Sequence, residues 1–427
     1  MESKNGTRPD DGSPPIIPPV ASPNSPAIPK EAGTSVRQLL CFVANLCLWF
    51  FVADAALSLM DDTLAVVASI HVVAGVRAIV STFAALIGVL VYLLLGVTPA
   101  LPKRFLLPLT LFNPAMVLLS LLAWIYVPDR IQLFSWGVSF VQVLLGLLLI
   151  WSIQGGFRLA WQIIPERLIA GKLFRWQNLV AFCAINLVVV MPGVVGYLAF
   201  CGARAVDHFT EGFVALRPSG FIVQVRNYVR NDGKSILLVP MSHIGEPEFY
   251  HSLSKSFPTN STILIEGVKD DKSLLTNRIS YKRMANSLGL SQQQKEFKPS
   301  PVQMVPADID VDQFAPSTIG FLNLVMLIHT RGLTAQNLLL LMQSSGSVET
   351  EEQVFRDILG KRNHHLLQEI RDHLSESDQL VVPWGAAHMP EIAREIQKSG
   401  FHLESSREYV AIRFGRGRQP KSAGSPR

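Results

Sequence analysis

The sequence has little cysteine, and none of it has the spacing of a metal or redox site. Four cysteines occur in 427 residues, all inside hydrophobic segments: Cys41, Cys47, Cys183 and Cys201. No pair has a CxxC spacing, which excludes a zinc ribbon and a thioredoxin-like site. No cysteine follows Asp207. A metal bound in that part of the chain must therefore use histidine and carboxylate ligands.

A strong charge of one sign is also absent. The formal net charge is +5 at pH 7, and no basic patch is interleaved with aromatic residues. We therefore expect no nucleic acid among the partners. Residues 1–36 are rich in proline, serine and glycine and have almost no aromatics, which predicts a disordered tail. Residues 416–427 are expected to form a disordered basic tail.

Long apolar runs with few charges dominate residues 37–206. Five of these runs are long enough to cross a hydrocarbon core about 30 Å thick. The predicted spans of this helical bundle are Leu39–Met60, Ala78–Leu95, Phe105–Val127, Ile131–Ile153 and Leu179–Ala203. The segment between Asp62 and Val76 could extend the second span or lie in the membrane interface. The expected partner of this half of the chain is the lipid bilayer.

The charges between the spans predict an orientation. Basic residues follow the second and fourth spans, namely Lys103, Arg104, Arg158, Arg167, Lys172 and Arg175. The connections on the other side are expected to hold Asp54, Asp61, Asp62, Asp129, Arg77 and Arg130. The positive-inside rule then predicts a cytoplasmic N-terminus and an extracytoplasmic C-terminal domain. An anchor is the simplest role for the spans, because only His71 and Arg77 bring charge near the membrane interior.

Charged residues return after Asp207, where short apolar strands alternate with helical segments. The predicted strands are Phe221–Val225, Ser235–Val239, Thr262–Ile265, Val302–Val305 and Leu380–Pro383. The predicted helices are Glu248–Ser256, Leu274–Leu288, Ile319–Met342, Glu351–Leu374 and Ile392–Ile396. This alternation predicts an α/β domain over residues 207–415 with a mainly parallel sheet.

Polar side chains follow three of the predicted strands, at His243, Glu266 and His388. Two imidazoles and one carboxylate are a usual ligand set for a catalytic divalent transition metal ion, which activates water at an open position. Glu246 and Glu391 each stand three residues after a histidine, and either could orient a ligand or act as a general base. For Glu391, a favourable charge in a first helical turn is the simpler explanation. For Glu246 both explanations stay open.

The helix Glu351–Leu374 carries Arg362 and Asn363 in its middle. Arg362 could project toward the sheet edge and bind a substrate carboxylate or orient a ligand. Three histidines crowd the same helix, but their spacing does not supply the pair of a helical zinc site.

The segment LGKRNHHLLQEIRDHL, followed by QLVVPWGAAHMPEIAREIQKSGFHLE, resembles the TraB/PrgY/GumN family and the related Tiki metalloproteases. VPMSH and TILIEG resemble the first histidine motif and the strand-ending glutamate of that family, although Pro240 stands where the pattern has glycine. The resemblance covers about the last two hundred residues. It implies the fold of erythromycin esterases and ChaN-like haem-binding proteins, and a metal-dependent hydrolysis. The residues that it selects are His243, Glu266, Arg362, Asn363 and His388.

The expected function is that of a membrane-anchored, metal-dependent hydrolase that acts on a peptide or a similar amide or ester outside the cytoplasm. The expected catalytic residues are Glu246, Arg362 and Asn363, and the expected metal ligands are His243, Glu266 and His388. The alternative is a non-catalytic domain that binds or sequesters a peptide signal or a cofactor. A transporter is the third hypothesis.

Overall fold

The computed structural model describes residues 30–158, 160–276, 281–299, 303–332, 334, 336, 339 and 348–415. The basic tail and most of the N-terminal tail lie outside these residues, and the first helix begins at Lys30. The chain divides into two compact units. The helical unit contains residues up to Ser120 together with Asp129–Val189, and the α/β unit contains Leu121–Pro128 together with the residues from Val190 onward.

Five helices of the described chain are long and apolar enough to cross a membrane: Ser35–Ala68, Ala74–Val97, Lys103–Tyr126, Pro128–Gln154 and Trp176–Phe209. Their number agrees with the five predicted spans. Large apolar side chains such as Leu86, Val117 and Leu148 are exposed on them. Helices that are apolar on their outer faces are typical of membrane spans. The helices are therefore compatible with a multi-pass membrane protein in contact with a lipid bilayer.

The first helix is longer than predicted. It runs over Lys30–Ala68, and the second helix begins at Ala74. No glycine or proline stands between Asp61 and Ala68, so the helix continues past its acidic residues and the segment after Asp62 extends the first span. As a result Asp54, Asp61 and Asp62 lie inside a helix, where the sequence predicted a connection.

The other long helices contain local irregularities with identifiable causes. The third helix, Lys103–Tyr126, contains two prolines, and the fourth helix, Ile131–Gln154, follows a short 3-10 turn. The fifth consists of Trp176–Ile185, a π-helical turn over Asn186–Val190, and Met191–Phe209. A proline follows this turn directly, and because proline has no backbone N–H the regular ladder is interrupted there.

The described part of the α/β unit contains nine strands. In chain order they are β1 (Val214–Arg217), β2 (Gly220–Val229), β3 (Ser235–Met241), β4 (Ile244–Gly245), β5 (Thr262–Ile265), β6 (Ser291–Gln292), β7 (Gln303–Pro306), β8 (Gln379–Gly385) and β9 (His402–Arg413). Seven of them form one sheet in the order β1-β2-β3-β8-β5-β7, with β9 also paired to β2. β4 and β6 form a separate two-stranded ladder.

The large sheet is mixed, and this corrects the prediction of a mainly parallel one. β3, β8, β5 and β7 pair in parallel, whereas β2 pairs antiparallel with β1, β3 and β9. The antiparallel half is harder to predict because a strand with one solvated face reads as alternating polar and apolar residues, without a continuous apolar run. Most of β9 is exposed.

Helices cover both faces of the parallel half. Among the described residues after Phe209, the α-helices of the unit are Pro247–Lys255, Lys282–Leu288, Gln293–Glu296, Pro316–Arg331, Val348–Phe355, Arg362–His373 and Met389–Lys398. Leu380, Val382 and Trp384 of β8 pack in one core with the last two of these helices, and Val381 packs in a second core with Pro247–Lys255. β8 is thus buried on both faces, and packing from two sides fixes the position of its carboxyl end.

Candidate functional site

Arg362 is buried at the carboxyl edge of the parallel strands, where it joins two carboxylates. Its Nη2 donates to Glu266 Oε1 at 2.7 Å and to Asp308 Oδ2 at 2.7 Å, and its Nε donates to Asp308 Oδ1 at 3.0 Å. Burial lowers the pKa of Arg362, but the hydrogen bonds with Asp308 and the two carboxylate charges outweigh it and raise that pKa above its usual value. The guanidinium therefore stays charged and holds both strand ends together.

Backbone amides bind the remaining lone pairs of these carboxylates. Asp308 accepts hydrogen bonds from the N–H groups of Gly267 at 3.0 Å and Ile309 at 2.9 Å. Glu266 Oε2 accepts one from the N–H of Gly385 at 2.6 Å. All four carboxylate oxygens are thus bound, and the two side chains are fixed in position.

His388 occupies the N-terminal cap of the helix Met389–Lys398, directly after the turn that ends β8. Its side chain is buried, and its Nδ1 lies 2.6 Å from Asn363 Oδ1. The amide nitrogen of Asn363 in turn donates to Glu391 Oε2 at 2.5 Å. Because Asn363 presents its oxygen to the ring, Nδ1 carries the proton and Nε2 has a free lone pair. That Nε2 lies 3.7 Å from Glu266 Oε1.

The imidazole of His388 is neutral at pH 7. Burial, followed by the positive charge of Arg362, lowers the pKa of His388 to about 4, although Glu266 and Asp308 oppose the shift. The indole ring of Trp384 packs edge-on against the imidazole at 5.2 Å, and its Nε1 donates to the carbonyl of Leu264 at 3.0 Å. The result is an unprotonated ring nitrogen whose direction is fixed by its neighbours.

His243 and Glu246 have other surroundings. The His243 ring is exposed and stacks on Tyr281, with ring centres 4.7 Å apart. Glu246 accepts a hydrogen bond from the N–H of Arg413 at 2.9 Å and also binds the Arg413 guanidinium, while its own N–H donates to the carbonyl of Ala411. Glu246 therefore ties the start of a helix to β9. The prediction that it acts as a general base beside the histidines is not supported by these contacts.

A cleft of about 780 Å³ opens at this edge of the sheet. Glu266 and Arg362 line it together with His243, Tyr281 and Lys269. Burial and then the charge of Glu266 raise the pKa of Tyr281, so that its hydroxyl stays protonated and can donate a hydrogen bond within the cleft. His388 lies behind Glu266 and contacts it through Nε2. The cleft thus offers a substrate-sized space in which Glu266 is accessible.

The predicted metal site is not assembled by these residues. No group of three or more histidine, cysteine, aspartate and glutamate side chains in the described part of the chain is arranged to hold a metal ion. Both oxygens of Glu266 already accept hydrogen bonds, one of them from a positively charged guanidinium, and His243 is stacked on Tyr281. The set of His243, Glu266 and His388 therefore does not fit the divalent transition metal ion expected from the sequence.

Of the residues selected from the sequence, the structure brings Glu266, Arg362, Asn363 and His388 together, and it adds residues that the sequence did not indicate. Asp308 was not selected, although it stands just after β7 and so carries the same signal as Glu266 after β5. Glu391 was attributed to the helix dipole, yet it binds Asn363. Its hydrogen bond depends on the packing of two helices, which no local pattern reports.

Comparison of the chain with family models, with curated proteins and with solved structures finds no match. The resemblance to the TraB/PrgY/GumN family and to Tiki metalloproteases therefore stays a prediction, carried by the quoted motifs alone.

Proposed function

We propose that the α/β unit hydrolyses an amide or ester bond in the cleft, with His388 as general base and without a metal ion. The observation that carries the proposal is the imidazole of His388: it is neutral, it is oriented through Nδ1, and its free Nε2 lies 3.7 Å from Glu266 Oε1 at the cleft. A base oriented by a third group is the usual arrangement for activating a nucleophile.

The proposed reaction uses this geometry in two steps. A water molecule in the cleft attacks the carbonyl carbon of the substrate, and its proton passes by way of Glu266, which lines the cleft, to Nε2 of His388. The imidazolium that forms is stabilised by the negative charge of Glu266 and returns the proton by the same route to the leaving nitrogen or oxygen as the bond to carbon breaks. Arg362 keeps Glu266 ionised and in place, and Asn363 keeps the imidazole in the reactive tautomer. The hydroxyl of Tyr281 is a donor for the developing oxyanion.

The test compares His388→Gln with wild-type full-length protein in detergent, on a panel of ester and peptide substrates. A general base contributes about 10²–10⁴-fold in rate, so turnover should fall by this factor while KM changes little. Glu246→Gln is the matched control, because it removes a carboxylate near the same strand ends that binds Arg413 instead. This control should keep its turnover.

Chelation separates the proposal from the metal-dependent reaction expected from the sequence. Hydrolysis should continue after treatment with EDTA and exhaustive dialysis, because no metal ion takes part. Loss of turnover on chelation that a divalent ion restores would contradict the proposal. It would support the metal site expected from the sequence, with His243 as one of its ligands. Unchanged turnover in His388→Gln would contradict it equally.

A second candidate, a non-catalytic binding domain, is favoured by one observation. Every oxygen of Glu266 and Asp308 is already bound, as expected for fixed charges that recognise a ligand. Such a domain would show ligand-dependent thermal stability without turnover, and His388→Gln would leave any turnover at the level of buffer alone.

We further propose that the C-terminal domain, residues 207–415, lies outside the cytoplasm. The support is the distribution of charge. Basic residues such as Lys103, Arg104 and Arg167 follow the second and fourth helices in the structure, as predicted. Asp61 and Asp62, which were predicted in a connection, lie in the first helix instead. A reporter fused after Arg413 should be active only in an extracytoplasmic compartment. A cytoplasmic signal would contradict both the orientation and the proposed place of the substrate.

A further inference from the structure

The helical unit contains a cluster of charged and polar side chains, two of them buried carboxylates, that the sequence did not indicate. We call it the Asp61 cluster, and its members are Asp61 and Asp62 of the first helix, His71 of the following connection, Arg77 of the second helix, and Ser135 and Ser139 of the fourth. Both aspartates are almost fully buried, with 2 % and 3 % exposure. Buried carboxylates are rare within membrane spans and mark functional sites by default.

One arginine binds both carboxylates of the cluster. Nη1 of Arg77 lies 2.6 Å from Asp62 Oδ1 and 3.3 Å from Asp61 Oδ2. Asp62 Oδ2 accepts hydrogen bonds from the hydroxyls of Ser139 at 2.6 Å and Ser135 at 3.1 Å. Asp62 is therefore satisfied on both oxygens.

Asp61 is satisfied on one oxygen only. Its Oδ2 contacts Arg77 and, at 3.1 Å, Nδ1 of His71. Its Oδ1 is buried and has no hydrogen-bond partner among the described residues. A buried carboxylate oxygen without a partner loses its hydration and gains nothing in return, so such atoms in folded proteins call for a bound species.

The charges around this oxygen do not balance. Seven residues earlier on the same helix, about 10 Å away along its axis, Asp54 is also buried, and it binds the hydroxyl of Ser81 and the amide of Gln142. Both oxygens of Asp54 are thus bound, and Asp54 lies outside the cluster. The cluster itself holds two carboxylates against the single guanidinium of Arg77, and this excess of carboxylate favours a cation.

We propose that the Asp61 cluster binds one alkali-metal cation through Asp61 Oδ1. The cation is a hard ion that prefers oxygen ligands such as carboxylate, hydroxyl and water. A single free carboxylate oxygen suits a monovalent ion better than a transition metal, which requires three or more protein ligands.

Access to the site is possible from the end of the bundle where the first two helices are connected. The side chain of His71 is 56 % exposed while it contacts Asp61, so the cluster begins at the surface and continues inward. The proposal does not depend on the hydrolysis assigned to the α/β unit.

The experiment titrates the purified full-length protein in detergent with NaCl or KCl, replacing choline chloride at constant ionic strength and pH. One readout is the thermal unfolding midpoint, which should rise by roughly 3–6 °C for each tenfold increase in cation above Kd. The other is the fluorescence of Trp136, whose Nε1 donates to the hydroxyl of Thr63 next to Asp62 at 3.0 Å. Subtraction of the signal from Trp136→Phe isolates this residue, and both readouts should saturate together.

Two variants of the first helix serve as a test variant and its matched control. Asp61→Asn removes the charge at the free oxygen and should abolish the cation dependence. Asp54→Asn removes a buried carboxylate of the same helix whose two oxygens are already bound, and it should keep the dependence. If Asp61→Asn fails to fold, Asp61→Ser provides the same loss of charge with a smaller side chain, and the wild-type titration stands by itself.

Three results would overturn the proposal. The first is a wild-type protein whose midpoint and fluorescence do not change with alkali cations at constant ionic strength. The second is a dependence that persists in Asp61→Asn. The third is a transition that follows pH alone in choline chloride and is unaffected by NaCl or KCl, which would assign the site to a proton.

Discussion

The two units of the molecule each contain an arginine held between two carboxylates with a histidine beside them, yet only one of these clusters is complete. The members are Arg362, Glu266, Asp308 and His388 in the α/β unit and Arg77, Asp61, Asp62 and His71 in the helical unit. Both oxygens of Glu266 and of Asp308 have a partner, whereas Asp61 Oδ1 has none among the described residues.

The difference follows from where the backbone leaves its amides free. At the ends of strands and in the turns after them, N–H groups such as those of Gly267 and Gly385 are free to bind a carboxylate. In the middle of a helix every N–H is bound to a carbonyl one turn earlier, so a buried aspartate can find only side chains. A strand-end cluster can therefore be completed by the fold itself, while a mid-helix cluster depends on other side chains or on a ligand.

Removal of Arg362 should have the largest effect. Arg362→Met keeps the length of the side chain but leaves the buried Asp308 and the half-buried Glu266 with uncompensated charge, so we expect the α/β unit to lose about 3–5 kcal/mol of unfolding free energy. Trp384, which is fully buried beneath the guanidinium, reports this unfolding by fluorescence. Arg362→Lys should cost less, because it retains the charge without the planar fork. A loss below 1 kcal/mol in the methionine variant would mean that the cluster is not tightly coupled.

Acid should destabilise the α/β unit through His388. Its folded-state pKa of about 4 is depressed below the usual value of 6.5, so between these values the unfolded chain binds a proton that the folded chain does not. The contribution of His388 to the unfolding free energy is therefore fully present above pH 6.5. It is lost as the pH decreases toward 4, which lowers the unfolding free energy by roughly 3 kcal/mol. The unfolding free energy should be measured between pH 7 and 4 for wild type and for His388→Gln. It should fall more steeply with decreasing pH in wild type than in the variant. Parallel curves would show that His388 is not the titrating group.

Removal of Arg77 should have a smaller effect that depends on the solution. Its side chain is 27 % exposed, against 10 % for Arg362, so Arg77→Met should destabilise the helical unit by about 1–3 kcal/mol, the range for hydrogen bonds to charged groups. Thermal unfolding in choline chloride and in NaCl should show a smaller loss in NaCl, because a bound cation replaces part of the missing charge. Arg362→Met should show no such difference. If Arg77→Met lost the same thermal stability in both salts, the helical cluster would behave like the α/β cluster and would show no sign of a bound cation.

The smallest effect is expected at Glu246. Its carboxylate binds Arg413 near the surface, and pairs of this kind contribute about 0–1 kcal/mol. Glu246→Gln can still accept the hydrogen bond from the N–H of Arg413, so chemical unfolding should detect a change of at most this size. A much larger loss would place Glu246 among the residues of the buried cluster, contrary to its contacts.

Local patterns predicted those parts of the molecule that depend on local chemistry. The five long helices follow from the length of the apolar runs, and the placement of His388 follows from the glycine turn after a buried strand. The pair Asp61 and Asp62 was misplaced because two adjacent acids after an apolar run are typical of a connection. Their burial is possible only because Arg77, Ser135 and Ser139 come from other helices.

The candidate site shows the same limit. Arg362 and Glu266 were selected separately, but their ion pair joins residues 96 positions apart, and that of Arg362 with Asp308 joins residues 54 positions apart. The sequence therefore suggested a metal ion for a place where a guanidinium lies between the carboxylates. The pattern of residues along the chain does not show which charged groups will pair, because the packing of the strands and helices determines the pairs.

The pairing of β2 with β9 has a consequence for the order in which the protein matures. The two strands are hydrogen-bonded along their whole length although their partner residues are about 170 to 190 positions apart. During synthesis β2 leaves the ribosome long before β9, and one of its edges stays unpaired until β9 is made. Contacts this distant in sequence also form slowly, because a long loop must close first. The nascent α/β unit should therefore be the part of the chain that needs chaperones, at a stage when the five long helices have already been synthesised.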